Sequence, residues 1–275
     1  MIYDCFTYFN DDLITELRLN TLDKYVDKFV IVEANLDHAG KPKKLNFDIK
    51  KFQKFKNKIR YIVVTDLPKE TNSFYFNRRH WHKNMVRDEY QRNQIMRGIN
   101  DAKDEDLIII SDNDEIPNLK NIYNIKFKRY AVFNQKFYKY KFNLLSPNQT
   151  PYQGSRVIIK KFLKGNITPQ WLRYKYTKRI KFWQVHRYFT NPFVIEDGGW
   201  HFSFIQTPEK IRSKILAYGH GEFNNDKFTN LEYIKNRINS NKELFSDTNL
   251  EKVELDETFP KYLIHNKEKF KDFLI

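Results

Sequence analysis

The sequence predicts an α/β fold: a Rossmann-like, mostly parallel sheet flanked by helices, with a smaller mixed or antiparallel β part after it. Three observations predict it. Short apolar runs alternate with stretches of helical spacing over roughly the first 110 residues, as in successive β-α-β units. From residue 130 the pattern changes to period-two alternation, which suits antiparallel strands. Glycine and proline are scarce, 8 and 9 of 275 residues, so long linkers are not expected. The chain therefore reads as one domain over 1–275, with an N-terminal half at 1–117 and a C-terminal half at 118–275.

The elements follow in order. Ile2 to Phe6 is a short apolar strand. In "DDLITELRLNTL", Leu13, Ile14 and Leu17 recur at helical spacing, and Asp11 or Asp12 can cap the start. "KFVIVE" (28–33) is a buried strand ending on a charge, which closes a first parallel crossover. "HAGKPKKL" is a loop and "IRYIVVT" (59–65) a third strand. "HKNMVRDEYQRNQIMRGIN" spaces Met85, Tyr90, Ile95 and Ile99 as a helix over about 82–98. "DLIIIS" is the fourth strand. The alternating run 130–145, "SRVIIKKFL" and "GGWHFSFI" supply further strands. "TPEKIRSKILAYG" (207–219) has Thr207 to cap it, Pro208 in its first turn and Gly219 to stop it. "NLEYIKNRINSNKELF" predicts one more helix.

Composition narrows the function. Aromatic residues are 16 %, with 24 Phe and 17 Tyr, so the chain is globular. Cys5 is the single cysteine, which leaves no intrachain disulfide and fits a reducing compartment. "MIYDCFTYFN" lacks a basic start and an apolar core, and no run reaches the ~18–20 apolar residues of a membrane span. The expectation is a cytoplasmic protein. The net charge of +15 fits a solvated lysine-rich surface or a polyanionic partner: a nucleoside diphosphate, nucleic acid or an anionic membrane touched peripherally.

The densest chemistry is in "DLIIISDNDEIP". An apolar strand ends on Asp112, Asn113 and Asp114, where open parallel sheets collect their ligands. Two carboxylates at i, i+2 can face one hard cation, Mg²⁺ or Mn²⁺, which bridges to a diphosphate. An Asx-turn or a helix cap before "EIPNLK" is the structural alternative. An EF-hand is excluded, since Pro117 stands at the loop's glycine position. No P-loop, dinucleotide fingerprint or nucleophile elbow occurs.

The segments "MIYDCFTYFNDDLITELRLNTLDKYVDKFVIVEANLDHAGKPKKL", "RDEYQRNQIMRGI", "DLIIISDNDEIP", "GGWHFSFI" and "KILAYGHGE" together resemble glycosyltransferase family 17. They run in order from residue 1 to about 222. The resemblance implies a GT-A-type fold, a nucleotide-sugar donor of the UDP-linked N-acetylglucosamine kind, a divalent metal and inverting transfer to a glycan. Residues 1–117 would then bind the donor and 118–275 the acceptor. Asn113 stands where many relatives carry an aliphatic residue, and both outer carboxylates are kept.

On that reading Asp114 and Asp112 hold the metal, with His201 as third ligand, and Asp112 and Asn113 lie at the donor. Arg87 and Arg92 are candidates for the diphosphate, since a guanidinium binds phosphate oxygens with two prongs; a solvated helix face is the alternative. Glu33, at the rim of the second strand, can reach uridine or ribose, or be a plain strand-end charge. The base that takes the acceptor's proton is expected to be Asp197, beside a Gly-Gly pair, or Glu222 in "GHGE". Trp200 is the tryptophan placed to stack on a sugar. Other nucleotide sugars, a retaining mechanism, and a basic nucleic-acid-binding protein without transferase activity are the competing readings. The even alternation of "KFKRYAVFNQKFYKYKF" speaks against a disordered nucleic-acid-binding arm. Without an anchor or cysteine framework, a bacterial or viral origin is expected.

Overall fold

The computed structural model describes residues 1–68, 83–174, 191–217 and 225–275. Its centre is the parallel run β3-β2-β1-β4, formed by Ile59–Val64 (β3), Lys28–Ala34 (β2), Ile2–Thr7 (β1) and Leu107–Asp112 (β4). The apolar runs read from sequence form these strands, and their near-continuous burial follows from cover on both faces. Odd and even residues serve different layers. Ile2, Phe6, Phe29, Ile31 and Ile109 pack with helix α1 (Asp12–Leu22). Tyr3, Cys5, Val30, Val32, Ile108 and Ile110 pack with Ile95 and Ile99, and with Leu172 of α4 (Pro169–Arg173).

The helix expected over 82–98 is two helices, α2 (Lys83–Asn93) and α3 (Ile95–Gly98), and its first residue lies outside the described residues. Gly98 lets α3 lie on β2: a Cβ there would come 2.2 Å from a Val30 methyl.

Beyond β4 the sheet turns mixed. Tyr152–Ile159 (β8) pairs antiparallel with β4, and Tyr130–Lys139 (β6) pairs antiparallel with β8. Phe193–Ile195 (β9) and Gly199–Ser203 (β10) lie parallel to β6, and Glu115–Pro117 (β5) pairs antiparallel with β10. One sheet thus joins both halves of the chain. The strand expected to run to residue 145 stops at Lys139. Tyr140 turns at φ 64°, and Leu144–Leu145 (β7) folds back on β6.

Helix α5 (Pro208–Ala217) follows Pro208 as expected; residues 218 and 219 lie outside the described residues. Asn230 caps α6 (Leu231–Asn239) by accepting from the Tyr233 N–H. This helix ends before 245 because Asn241 is left-handed, at φ 51°. Two short helices, α7 (Lys261–His265) and α8 (Lys267–Phe270), pack the C-terminus onto the first core layer.

Register places the site. Thr7 of β1 lies opposite Asp112 of β4 and Val32 of β2, so the loops leaving these parallel strands open on one edge. No helix among the described residues is long and apolar enough to cross a membrane.

Candidate active site

The acidic turn is built from beneath. Arg18 of α1 is fully buried; its Nη1 donates to the carbonyls of Asp112 (3.1 Å), Asn113 (3.2 Å) and Glu115 (2.6 Å). Its other nitrogens hold Asp4 at 2.7 and 2.6 Å. Three carbonyls converging on one guanidinium force β4 to turn sharply into β5. Asn113 turns toward α1, where its Nδ2 donates to Thr15 Oγ1 at 3.0 Å.

Above the turn lies a cavity of about 650 Å³, ample for a nucleotide-sized ligand. It has two chemically distinct parts. The loops after β1, β2 and β4, together with α2 and α4, supply the charged part, including Asp11, Lys43, Arg92, Asp112 and Arg173. The second part comes from 118–275. Phe137, Tyr152, Phe204 and Phe245 line it, with Asn148, Gln149, Ser246 and Thr248 nearer the solvent. A buried ion pair, Lys139 with Glu243, lies in this part; Ser146 Oγ donates to the same carboxylate at 2.8 Å. Burial draws the Lys139 ammonium pKa down, against the opposing charge of Glu243.

The two aspartates of the turn have different partners. Asp112 accepts from Arg92 Nη1 at 2.5 Å on one oxygen and from Arg173 Nη2 at 2.7 Å on the other. Burial pushes its pKa up, but Arg173 and then Arg92 outweigh that and hold the carboxyl well below the usual range. Asp114 faces Lys214 of α5, whose Nζ is 3.1 Å from Oδ2, and His201 of β10, whose Nε2 is 3.4 Å from Oδ1. Burial opposes ionisation here too; Lys214 and then His201 overcome it and depress the pKa. His201 Nδ1 is buried without a hydrogen-bond partner among the described residues.

Among the described residues the lining holds six carboxylates (Asp11, Asp37, Asp88, Asp112, Asp114, Glu243) and five lysines and arginines (Lys43, Arg92, Lys139, Arg173, Lys214). A diphosphate placed beside so many carboxylates calls for positive charge near it.

A divalent ion fits that need in part. Among the described residues no group of three His, Cys, Asp or Glu side chains is arranged to hold a metal. Asp114 and His201 make a pair whose facing atoms suit one small ion, and phosphate oxygens or water commonly complete such a shell. Asp112 differs from expectation, since both its oxygens are committed to arginines.

The remaining expected residues fall as follows. Arg92 reaches the cavity, but its fork is filled by Asp112, Asp88 (3.0 Å) and Gln170 (2.6 Å), so it braces the site and offers no free prong to phosphate. Arg87 donates to the carbonyls of Pro68 (3.2 Å) and His38 (3.1 Å), fixing the loop behind the cavity wall. Glu33 is fully buried and not part of the lining. It accepts from Lys43 Nζ, the Asn46 and Phe47 N–H groups and Tyr61 OH, so it anchors the 43–47 segment.

Asp197 is exposed, at φ 47°, on the turn that enters β10, and does not line the cavity. The Gly-Gly pair beside it serves strand packing instead of ligand approach: a Cβ on Gly199 would meet the Ile116 carbonyl at 2.2 Å. Trp200 is corrected for a related reason. Alternation along β10 puts His201 and Ser203 in the cavity and Trp200 in the core, where its Nε1 donates to the Thr258 carbonyl. Glu222 lies outside the described residues.

Sequence reasoning missed Arg18, Arg173, Lys214 and the cavity role of Asp11. Asp11 precedes α1 as expected, yet its carboxyl lines the cavity. Burial pushes its pKa up to about 6, with Lys214 opposing and Asp114 adding to the rise.

The carboxyl edge of the parallel sheet thus carries an acidic turn, paired cations and an aromatic recess edged by amides and hydroxyls. The sequence profile described as "Glycosyltransferase family 17" matches residues 1–275, and the chain belongs to that family. Two relatives are beta-1,4-mannosyl-glycoprotein 4-beta-N-acetylglucosaminyltransferases. The Rattus norvegicus protein is 22 % identical over 95 % of this chain, and the Homo sapiens protein 23 % identical over 94 %. The chain spans about half the length of these relatives, 52 % of each. Their mammalian source gives no support to a bacterial or viral origin.

Two solved structures of LgtC are more distant. An active-site mutant has TM-score 0.34 and 14 % identity, covering 71 % of this chain and 72 % of that one. A galactosyltransferase LgtC complex with donor and acceptor sugar analogues has TM-score 0.35 and 12 % identity, covering 80 % of each chain.

Proposed function

We propose that the chain transfers a sugar, N-acetylglucosamine, from a UDP-linked donor to a hydroxyl of a glycan acceptor, with a divalent ion, Mn²⁺ or Mg²⁺, and with inversion. The donor sugar is the one named for the two mammalian relatives. The observation that carries the reading is the position of the Asp114–His201 pair, where the charged and the aromatic parts of the cavity meet.

The nucleotide occupies the charged part, above the strand ends. Asp114 and His201 would hold the ion, which when bound would supply positive charge beside the departing diphosphate. Arg92 and Arg173 keep Asp112 ionised and in place, so the turn keeps its shape as ligands enter. The acceptor occupies the aromatic part, where ring faces meet the apolar faces of a pyranose and the amides and hydroxyls of Asn148, Gln149, Ser246 and Thr248 meet its hydroxyls. Lys139, neutralised by Glu243, adds no free charge there, which suits an uncharged sugar.

In the transfer the acceptor oxygen attacks the anomeric carbon as the bond to the nucleoside diphosphate breaks, and a carboxylate takes the acceptor's proton. Asp197 stands outside the cavity, so the proposal rests on Glu222, shortly after α5 in the chain, as that base.

The test is a thermal-shift screen of nucleotide sugars with and without Mn²⁺. A ligand that binds only the folded form raises its stability. UDP-N-acetylglucosamine should raise Tm in Mn²⁺ and not in EDTA. A shift from DNA alone, with none from any nucleotide sugar, would replace this reading with the nucleic-acid one.

A further inference from the structure

We infer that the Lys139–Glu243 ion pair is the polar anchor for the acceptor, a neutral pyranose held by two neighbouring hydroxyls: one donates to the Glu243 carboxylate and the other accepts from the Lys139 ammonium. The inference rests on the transferase reading of the cavity and deepens it, by naming what the acceptor part grips.

The pair is placed by well-tied elements. Lys139 is the last residue of β6, in register with Ser203 of β10. The backbone of Glu243 is held on both sides. Its N–H donates to the Thr248 carbonyl at 2.9 Å, and its carbonyl accepts from Arg237 Nε at 2.7 Å. Both side chains line the cavity, with 4 % and 6 % exposure, so they meet a ligand there while nearly shut off from bulk water. Of the six carboxylates in the described lining, Glu243 is the one that belongs to residues 118–275. Stability alone gives no reason for such a pair, since apolar residues of like volume serve a buried wall as well or better.

The described residues leave both members with hydrogen-bonding capacity. A carboxylate offers roughly four lone-pair sites, and an ammonium roughly three N–H groups. Glu243 Oε2 takes the Lys139 ammonium and Oε1 takes the Ser146 hydroxyl at 2.8 Å, which leaves room at each oxygen. Around the ammonium stand rings: the centres of Phe137, Phe204 and Phe245 lie 5.5, 5.9 and 5.8 Å from Nζ. A strong donor and a strong acceptor thus sit side by side among aromatic rings. A pyranose matches that pattern, with apolar ring faces and neighbouring hydroxyls that both donate and accept. Phe137 also packs on His201, ring centres 4.3 Å apart, so a sugar anchored here lies beside the proposed ion site.

The test is saturation-transfer NMR with the methyl pyranosides of glucose, galactose and mannose, in UDP and Mn²⁺. The proteins are the wild type and the double variant Lys139→Met with Glu243→Gln. Removing both charges together strands neither, so Tm should not fall. UDP affinity should stay within about twofold, while the tightest pyranoside should weaken by roughly tenfold or more, the loss of charge-assisted hydrogen bonds. Monodeoxy forms of that pyranoside complete the cycle. Deoxygenation at two neighbouring positions should cost the wild type about tenfold each and the double variant less than about twofold. A loosened fold would lower Tm and UDP affinity as well, and would not single out two hydroxyls. Should the double variant fail to fold, the wild type still decides, since a cost spread evenly over all hydroxyls would contradict the anchor. If no pyranoside binds a wild type that takes up UDP, or if the double variant binds pyranosides as well as the wild type, the anchor inference fails and the nucleotide part of the reading stands. If the wild type takes up no UDP in Mn²⁺ or in EDTA, the transferase reading fails and takes the inference with it.

Discussion

Arg18 and Asp4 form a fully buried, two-pronged ion pair, with nitrogen–oxygen distances of 2.6 and 2.7 Å. The guanidinium nitrogen left over holds the backbone of the acidic turn. The pair therefore links the first strand and first helix to the site, and the turn's geometry depends on a residue far from it in sequence.

Replacing Arg18 by Met should destabilise the protein by about 3–5 kcal/mol, because Asp4 is left as an unpaired buried charge. Urea denaturation measures this. A cost below about 1 kcal/mol would show that the turn holds itself.

Asp112 and Asp114 should separate by phenotype. Asp112→Ala strips the shared carboxylate from two buried arginines, each of which keeps one carboxylate (Asp88 and Glu115), so it should cost about 1–3 kcal/mol, the scale of buried donors left short of an acceptor. Asp114→Ala removes a partner from Lys214 and His201, both nearer the open cavity, and should cost less. Equal losses in denaturation would contradict the division of roles read from their partners.

Asp11 gives a pH signature. Its pKa is raised in the folded state, from 3.8 to about 6, chiefly by burial. The folded form therefore holds the proton more tightly than the unfolded chain. This group's contribution becomes less favourable as pH rises from about 4 to 6, and the penalty is complete above that. Asp11→Asn should raise Tm relative to the wild type at pH 7.5, with the difference vanishing near pH 4. Equal Tm values at both pH values would show that Asp11 ionises without cost.

The proposed base is tested by two variants. Glu222→Gln should abolish transfer while UDP still binds in Mn²⁺. Asp197→Asn, on an exposed turn outside the cavity, should keep transfer within about twofold. Loss of transfer in Asp197→Asn with donor binding intact would return the role to that residue.

Much of the fold was legible because its strands are compact apolar runs and its helices carry period and caps. "KFVIVE" and "DLIIIS" could hardly be anything but buried strands, and the acidic turn announced itself by following one of them. What could not be read was partnership. Arg92 reads as an exposed phosphate ligand until Asp112, Asp88 and Gln170 are seen to fill its fork. Glu33 reads as a rim charge until the 43–47 segment folds over it. Asp197 and Trp200 sit in a motif next to His201, yet one ends a turn outside the cavity and the other faces the core. Lys214 carries no sequence signal at all. It is one of many lysines, and only the packing of α5 brings it to Asp114.

The central claim is that Asp114 and His201 hold a divalent ion where a nucleoside diphosphate binds. The most direct measurement is calorimetric titration of UDP into the wild type and into Asp114→Ala, each in Mn²⁺ and in EDTA. The account predicts UDP binding by the wild type in Mn²⁺ alone and none by Asp114→Ala in either buffer. Equal UDP affinity in Mn²⁺ and EDTA, or full affinity in Asp114→Ala, would contradict it.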